Sequence, residues 1–240
     1  MITLYSYPEL FGVADNNGYG LKVFAFLKLT RLPFTHRHIF DASDAPRGQL
    51  PYIVDDGTPI GDSEAIIAHL TRTYALTLDD TLNPQQRDTR LLVTRMLDDL
   101  YWVMSYSRWK DKRYWPAFRD ALLREHPSLT EAGLRQAQAF NAQRYHYQGI
   151  GRFDPEAAYA RGLADLQVLS NLTPADGYLF GSKPTSVDAG IYGFIANIAF
   201  FPIETPLKRF VASQDNLVRH CTAMHAATVS AALSPDVSGA

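Results

Sequence analysis

Cysteine is nearly absent from this sequence. The single one, Cys221, rules out a disulfide within the chain, so the fold must rest on an apolar core rather than on bridges. Long apolar runs are absent too, and no stretch approaches the roughly 20 residues that a membrane helix needs. The opening MITLYSYPEL has neither a basic start nor a long apolar segment, so no leader peptide is expected and a cytoplasmic address follows. Charge of one sign never accumulates. Lys and Arg number 23 against 25 Asp and Glu, which argues against nucleic acid or an acidic membrane as the main partner. Internal repeats are missing, as are the glycine patterns that cradle phosphates or dinucleotides. Apolar material is plentiful: 46% of 240 residues, enough for one large domain or two small ones.

Two regimes follow one another along the chain. In residues 1–75, short strand-like and helix-like pieces alternate. ITLYSY is rich in β-branched and aromatic residues and reads as a strand. Above Gly20, the residues Val23, Phe24 and Leu27 form an apolar helical stripe. PFTHRHIF reads as a second strand, followed by a poorly patterned stretch. PYIVDDG and TPIG read as a hairpin with Asp56-Gly57 at its turn. From Ser63, the spacing of Ile66, Ile67, Leu70 and Tyr74 is helical again. The order is therefore β-α-β, then β-β-α.

A polar connector at 76–86 separates this α/β part from an all-helical part at 87–240. Helical stripes there run through Val93, Met96, Leu97, Leu100, Val103 and Met104, and through Tyr159, Leu163, Leu166 and Leu169. The strongest stripe is Val187, Ile191, Phe194, Ile195 and Ile198; Leu217, Cys221 and Met224 form the last. Thr185 is the expected N-cap of the strongest helix. Asp188, three residues on, can answer its backbone N–H as in a capping box.

The run QLPYIVDDGTPIGDSEAIIAHL, from Gln49 to Leu70, sets a proline before an apolar strand, a tight turn, and Asp-Ser at the mouth of a helix. Taken alone, Pro51 is a turn residue and Asp62 or Ser63 a plain N-cap. Taken together in a β-α-β, β-β-α frame, the run resembles the thioredoxin-like domain of glutathione transferases. The resemblance implies a cis peptide before Pro51, with the backbone of Leu50 turned outward to pair with the cysteinyl part of glutathione like an added strand. It implies that Asp62 and Ser63 hold the γ-glutamyl end: the helix N-terminus and the Ser63 hydroxyl take its carboxylate, and Asp62 its ammonium group. Gln49, rather than Arg47, is expected to reach the glycyl carboxylate. The helical half resembles the same superfamily in GYLFGSKPTSVDAGIYGFIANI, and YQGIGRFDPEAAYARGLADLQVLSNL resembles its metaxin-like branch. The resemblance further implies a homodimer, glutathione as co-substrate with no metal, and an apolar electrophile partner.

In most such enzymes a Ser, Cys or Tyr between the first strand and first helix faces the glutathione sulfur and favours its thiolate. The metaxin-like branch often reads Ser-Pro-Phe-Cys-Leu-Lys here. This chain reads Asn17-Gly18-Tyr19-Gly20-Leu21-Lys22, so Asn17 takes the Ser position and Gly20 the Cys position. Asn17 retains an NH2 donor but cannot form a mixed disulfide. Tyr7 and Tyr19 are alternative donors. Tyr106 and Trp109 are expected walls of the electrophile pocket, by analogy with the family's fourth helix. Cys221 reads as a small buried hydrophobe. His36 and His38 can share a strand face but have no third ligand nearby, so no metal is expected. Two function classes follow: a transferase that conjugates glutathione to an apolar electrophile, or a non-catalytic binding or scaffold protein of the same fold.

Overall fold

The structure, a computed structural model, describes residues 1–230. Alternation along β1 (Ile2–Ser6) sends Ile2 and Leu4 to one face and Thr3 and Tyr5 to the other. β2 (Phe34–His38) pairs with β1 in parallel, β3 (Tyr52–Asp55) pairs with it antiparallel, and β4 (Thr58–Gly61) closes the hairpin, giving the order β2-β1-β3-β4. Asp56 (φ 44°) and Gly57 (φ 83°) make the hairpin turn, which needs the positive dihedrals that Asp-Gly supplies.

Both faces of the sheet are covered, each by different means. Ile2, Leu4 and Ile53 join the main core with Leu21 and Phe26 of α1 (Gly18–Leu29) and Ile66 and Leu70 of α2 (Ser63–Thr73). On the other face Tyr5 stacks on Tyr52, ring centroids 4.5 Å apart, beneath Ile39, Ala42, Ala45 and Leu50 of the β2–β3 connection. That connection is the poorly patterned stretch, and it remains irregular because it contributes only this small cluster.

The helical part comprises α3 (Pro84–Trp109), α4 (Trp115–Glu125), α5 (Glu131–Gln148), α6 (Pro155–Leu172), α7 (Ser186–Ala199), α8 (Pro206–Ala212) and α9 (Asp215–Ser230). α3 starts inside the stretch expected to be connector. Asn83 and Gln86 each accept the other's backbone N–H (2.9 and 3.0 Å), and Pro84 follows the cap, so the helix nucleates earlier than its apolar stripe suggests. α7 is buried along nearly its whole length, as its apolar sequence requires.

The two parts meet where α1 lies on α7. A Cβ at Gly193 would fall 2.4 Å from the Gly18 carbonyl oxygen, so only glycine permits this close approach. The contact places the N-terminus of α1, and the loop before it, directly against the helical part.

Candidate active site

A cavity of about 940 Å³ opens between the two parts. Gln49, Leu50, Pro51, Asp62 and Ser63 line one side of it, and Tyr7, Asn17 and Tyr19 line another. The Leu50–Pro51 peptide is cis. Asp62 caps α2: its Oδ1 accepts the N–H groups of Glu64 and Ala65, both at 3.1 Å, while Arg47 Nη1 donates to its Oδ2 at 3.1 Å. Asp62 is thus both the N-cap and a cavity wall. Arg47 already covers one of its oxygens, so an incoming ammonium group would compete with a guanidinium. Ser63 is buried just behind the cap, where its Oγ accepts from Lys22 Nζ at 3.2 Å and keeps its own proton free to donate. Lys22 also pairs with Glu64. Asp62 takes the Glu64, Ala65 and Ile66 N–H groups, so what this end of the cavity offers an anion is the Ser63 hydroxyl and the positive end of the α2 dipole.

Asn17 occupies the N-cap of α1. Its Oδ1 accepts the Tyr19 N–H at 2.9 Å, and among the described residues its NH2 has no acceptor. The helical part pins the loop that carries it. Arg108 of α3 donates to the Asn16 carbonyl and to the Asn197 carbonyl, each at 2.5 Å, and Asn197 of α7 donates to the Asp15 carbonyl at 3.1 Å. Burial lowers the Arg108 pKa to about 10, which still leaves it charged at neutral pH. Gly20 carries no side chain for a steric reason: a Cβ there would lie 1.6 Å from Asp15 Oδ2. A cysteine in that position would collide with a pinned aspartate.

Burial pushes the Tyr7 hydroxyl up to about 12, so it acts as a neutral donor. Burial, and then Asp98 and Tyr101, raise Tyr19 as well, and its ring packs on Tyr101 and Phe194. Tyr19 borders the cavity mainly as part of the wall.

A second cavity, about 430 Å³ and mostly apolar, adjoins the first. Trp109 lines it, with Met104, Phe118, Leu122 and Leu134. Tyr106 does not. It is buried against Tyr145 and Tyr159 instead, because the face of α3 toward the cavity is Tyr101, Met104, Ser105 and Arg108. Sequence reasoning missed Lys22, Tyr101, Arg108 and Arg144 as site residues. Lys22 and Arg108 had a usable signal, since each is a lone charge on an otherwise buried helix face. Arg144 had none.

Cys221 is buried under α7 and burial pushes its thiol up to about 12, so it is no nucleophile. His38 Nε2 lies 3.3 Å from His36 Nδ1, whose ring bonds Ser6 Oγ at 2.7 Å. No cluster suited to a metal ion occurs among the described residues, and no helix among them is long and apolar enough to cross a membrane.

Comparison with known proteins gives a consistent result. A model of the glutathione S-transferase N-terminal domain matches residues 19–114, and one of the C-terminal domain matches residues 162–224. The chain is 32% identical to the isoprene-epoxide glutathione S-transferase of Rhodococcus sp. (strain AD45), over 91% of this chain and 95% of that protein. It is 28% identical to Failed axon connections of Drosophila melanogaster, over 93% of this chain but only 57% of that longer protein. Among solved structures, the β-etherase LigF of Sphingobium sp. strain SYK-6 superposes with a TM-score of 0.66 at 17% identity, covering 98% of this chain and 99% of that one. A glutathione S-transferase of Methylobacillus flagellatus, solved with glutathione bound, superposes with a TM-score of 0.61 at 14% identity, covering 96% and 98%.

Proposed function

The chain belongs to the glutathione S-transferase superfamily, and on that premise we propose that it binds glutathione in the larger cavity and conjugates it through its sulfur to a small apolar electrophile in the apolar one. The observation that carries this reading is the junction of the two cavities, which share Tyr7, Asn17 and Tyr101. Glutathione laid along the larger cavity puts its γ-glutamyl end at Ser63 and the start of α2, its cysteinyl backbone along Leu50, and its sulfur toward that junction. The apolar cavity has the volume of a small-molecule site. The similarity to an isoprene-epoxide transferase supports a small epoxide as the electrophile. The thiol would lose its proton to solvent, and the thiolate would attack a ring carbon. As the C–S bond forms, the C–O bond breaks and its oxygen takes a proton from water.

Titration calorimetry tests the binding half. Glutathione should bind, and Ser63→Ala should weaken it by about 1–2 kcal/mol, the scale of a lost hydrogen bond to a charged group. Unchanged affinity in a folded variant would remove the γ-glutamyl assignment. Turnover of a short aliphatic epoxide, faster than that of an aromatic halide, tests the other half.

A second reading is a glutathione-fold binding or scaffold protein of the metaxin-like branch. The absence of a hydroxyl or thiol at Asn17 and Gly20 favours it. Glutathione binding without turnover of any epoxide or halide would select it.

A further inference from the structure

We propose that Arg144 of α5 holds the glutathione sulfur as thiolate, a cation delivered by the helical part to the point where the two cavities meet. This rests on the reading above. The sulfur is the atom of glutathione that must touch the electrophile, so it has to lie where both cavities are open. Six residues line both: Tyr7, Asn17, Gly48, Tyr101, Phe140 and Arg144. Arg144 alone among them carries a permanent charge.

Its setting is that of a held cation. Arg144 is half-buried, and Nη1 donates to Asn141 Oδ1 at 3.1 Å. Asn141 is itself tied to the Ala137 carbonyl at 2.9 Å. The guanidinium lies over the Trp102 ring at 5.2 Å and the Phe140 ring at 5.8 Å. Two aromatic rings within 6 Å attract a guanidinium and limit where the charge can go.

The other charged groups facing the cavities are already answered. Arg47 pairs with Asp62 at 3.1 Å and Arg95 with Asp98 at 3.4 Å. Glu64 takes Lys22 and Arg90. Arg108 is occupied by backbone carbonyls. Among the described residues no carboxylate pairs with Arg144. At Tyr7 its charge acts against burial, Tyr101 and Asp15, each of which weighs more there. A thiol within about 4–6 Å of such a cation ionises more readily. The neutral Asn17 amide can then orient the sulfur without having to stabilise its charge alone.

The test is an ultraviolet titration of thiolate in the glutathione complex of the wild type, Arg144→Gln and Arg144→Lys, with S-methylglutathione binding measured in parallel. In Arg144→Gln the bound thiol pKa should rise by about one unit, a tenfold smaller thiolate fraction at neutral pH. Turnover should fall to match and recover in alkali. Arg144→Lys should keep the pKa nearer the wild-type value, and carries the same reading if Arg144→Gln does not fold. S-methylglutathione, which has no ionisable sulfur, should bind all three alike. An unchanged thiol pKa in a folded Arg144→Gln overturns the proposal while leaving glutathione binding intact. Loss of S-methylglutathione affinity at constant thiol pKa overturns it in favour of a carboxylate clamp. A wild type that binds no glutathione overturns the functional reading and this proposal together.

Discussion

Asp15 and Asp188 are both fully buried, and each stands at the start of a helix packed against the other. They differ in how completely they are answered. Asp188 accepts from the Leu179 N–H at 2.9 Å, the Thr185 N–H at 2.7 Å, the Thr185 hydroxyl at 2.8 Å and His220 Nε2 at 2.9 Å. Burial alone would raise its pKa, but the hydrogen bond from His220 and those from Leu179 and Thr185 outweigh burial and hold it below the usual carboxylate range. Asp15 is raised well above that range, because burial exceeds the help it gets from Asn17, Ser6 and Tyr7. Its Oδ2 has no partner and lies against Gly20. The saturated carboxylate, whose partner His220 keeps an unanswered Nδ1, lies in the structural centre of the helical part. The unsaturated one lies beneath the loop that carries Asn17, beside the larger cavity.

The largest expected effect is at the saturated site. Asp188→Ala should cost about 3–5 kcal/mol, since it strands His220 and two backbone N–H groups in the core. Urea unfolding measures this, and a loss no larger than that of an ordinary helix cap, about 1 kcal/mol, would break the comparison. The same carboxylate sets an acid limit. With its folded pKa below the unfolded value of 3.8, its contribution is complete above that value and is lost as pH falls through the lower folded one.

A smaller effect is expected at Gly20. Gly20→Ala drives a Cβ into Asp15, and Arg108 and Asn197 stop the loop from moving aside, so overpacking should cost about 1–3 kcal/mol. Adding Asp15→Ala to that variant should restore part of the loss. A melting temperature unchanged in the single variant would mean that the loop is not pinned.

The smallest effect is at the unsaturated carboxyl itself. A raised folded pKa means that the native state binds the proton more tightly than the unfolded chain. The contribution of Asp15 is fully present below the unfolded value of 3.8 and is lost as pH rises from there through the folded value. Asp15→Asn should change stability little below that value and increase it progressively above. A variant that is less stable than the wild type at every pH would reverse the assignment.

Elements were legible wherever one face is continuously apolar. β1, β3, α1, α2, α3, α6, α7 and α9 satisfy that condition, whereas β2 and β4 have no such face and were legible from residue type and the Asp-Gly turn. α5 does not satisfy it either. It buries only Leu134, Asn141 and Tyr145 and exposes Phe140 and Tyr147, so no stripe marks it, and Arg144 went unnoticed with it. The Thr185–Asp188 pair was legible as a cap, but His220, the partner that changes its titration, comes from α9. For the electrophile wall, Tyr106 and Trp109 were equally good candidates. Their separation on α3 sends them to different faces, and only the packing of α3 decides which one looks into the cavity.

By itself the sequence determined what depends on neighbours in the chain. It set the alternation of β1, the turn at Asp56-Gly57, and the Leu50-Pro51 and Asp62-Ser63 pairs that stand together on one wall of the larger cavity. Local dihedral preference and periodicity act over a few residues, and these features need nothing longer. Tertiary structure decided what depends on convergence. Arg108 and Asn197 reach the Asn17 loop from 92 and 182 residues away. Asp15 faces Gly20 across a turn whose shape those contacts set, and Arg144 comes to line the same cavities as Tyr7 only through the packing of α5 on α3. Burial and electrostatic coupling act through space, so the charges that govern this site became readable only once the chain had brought them together.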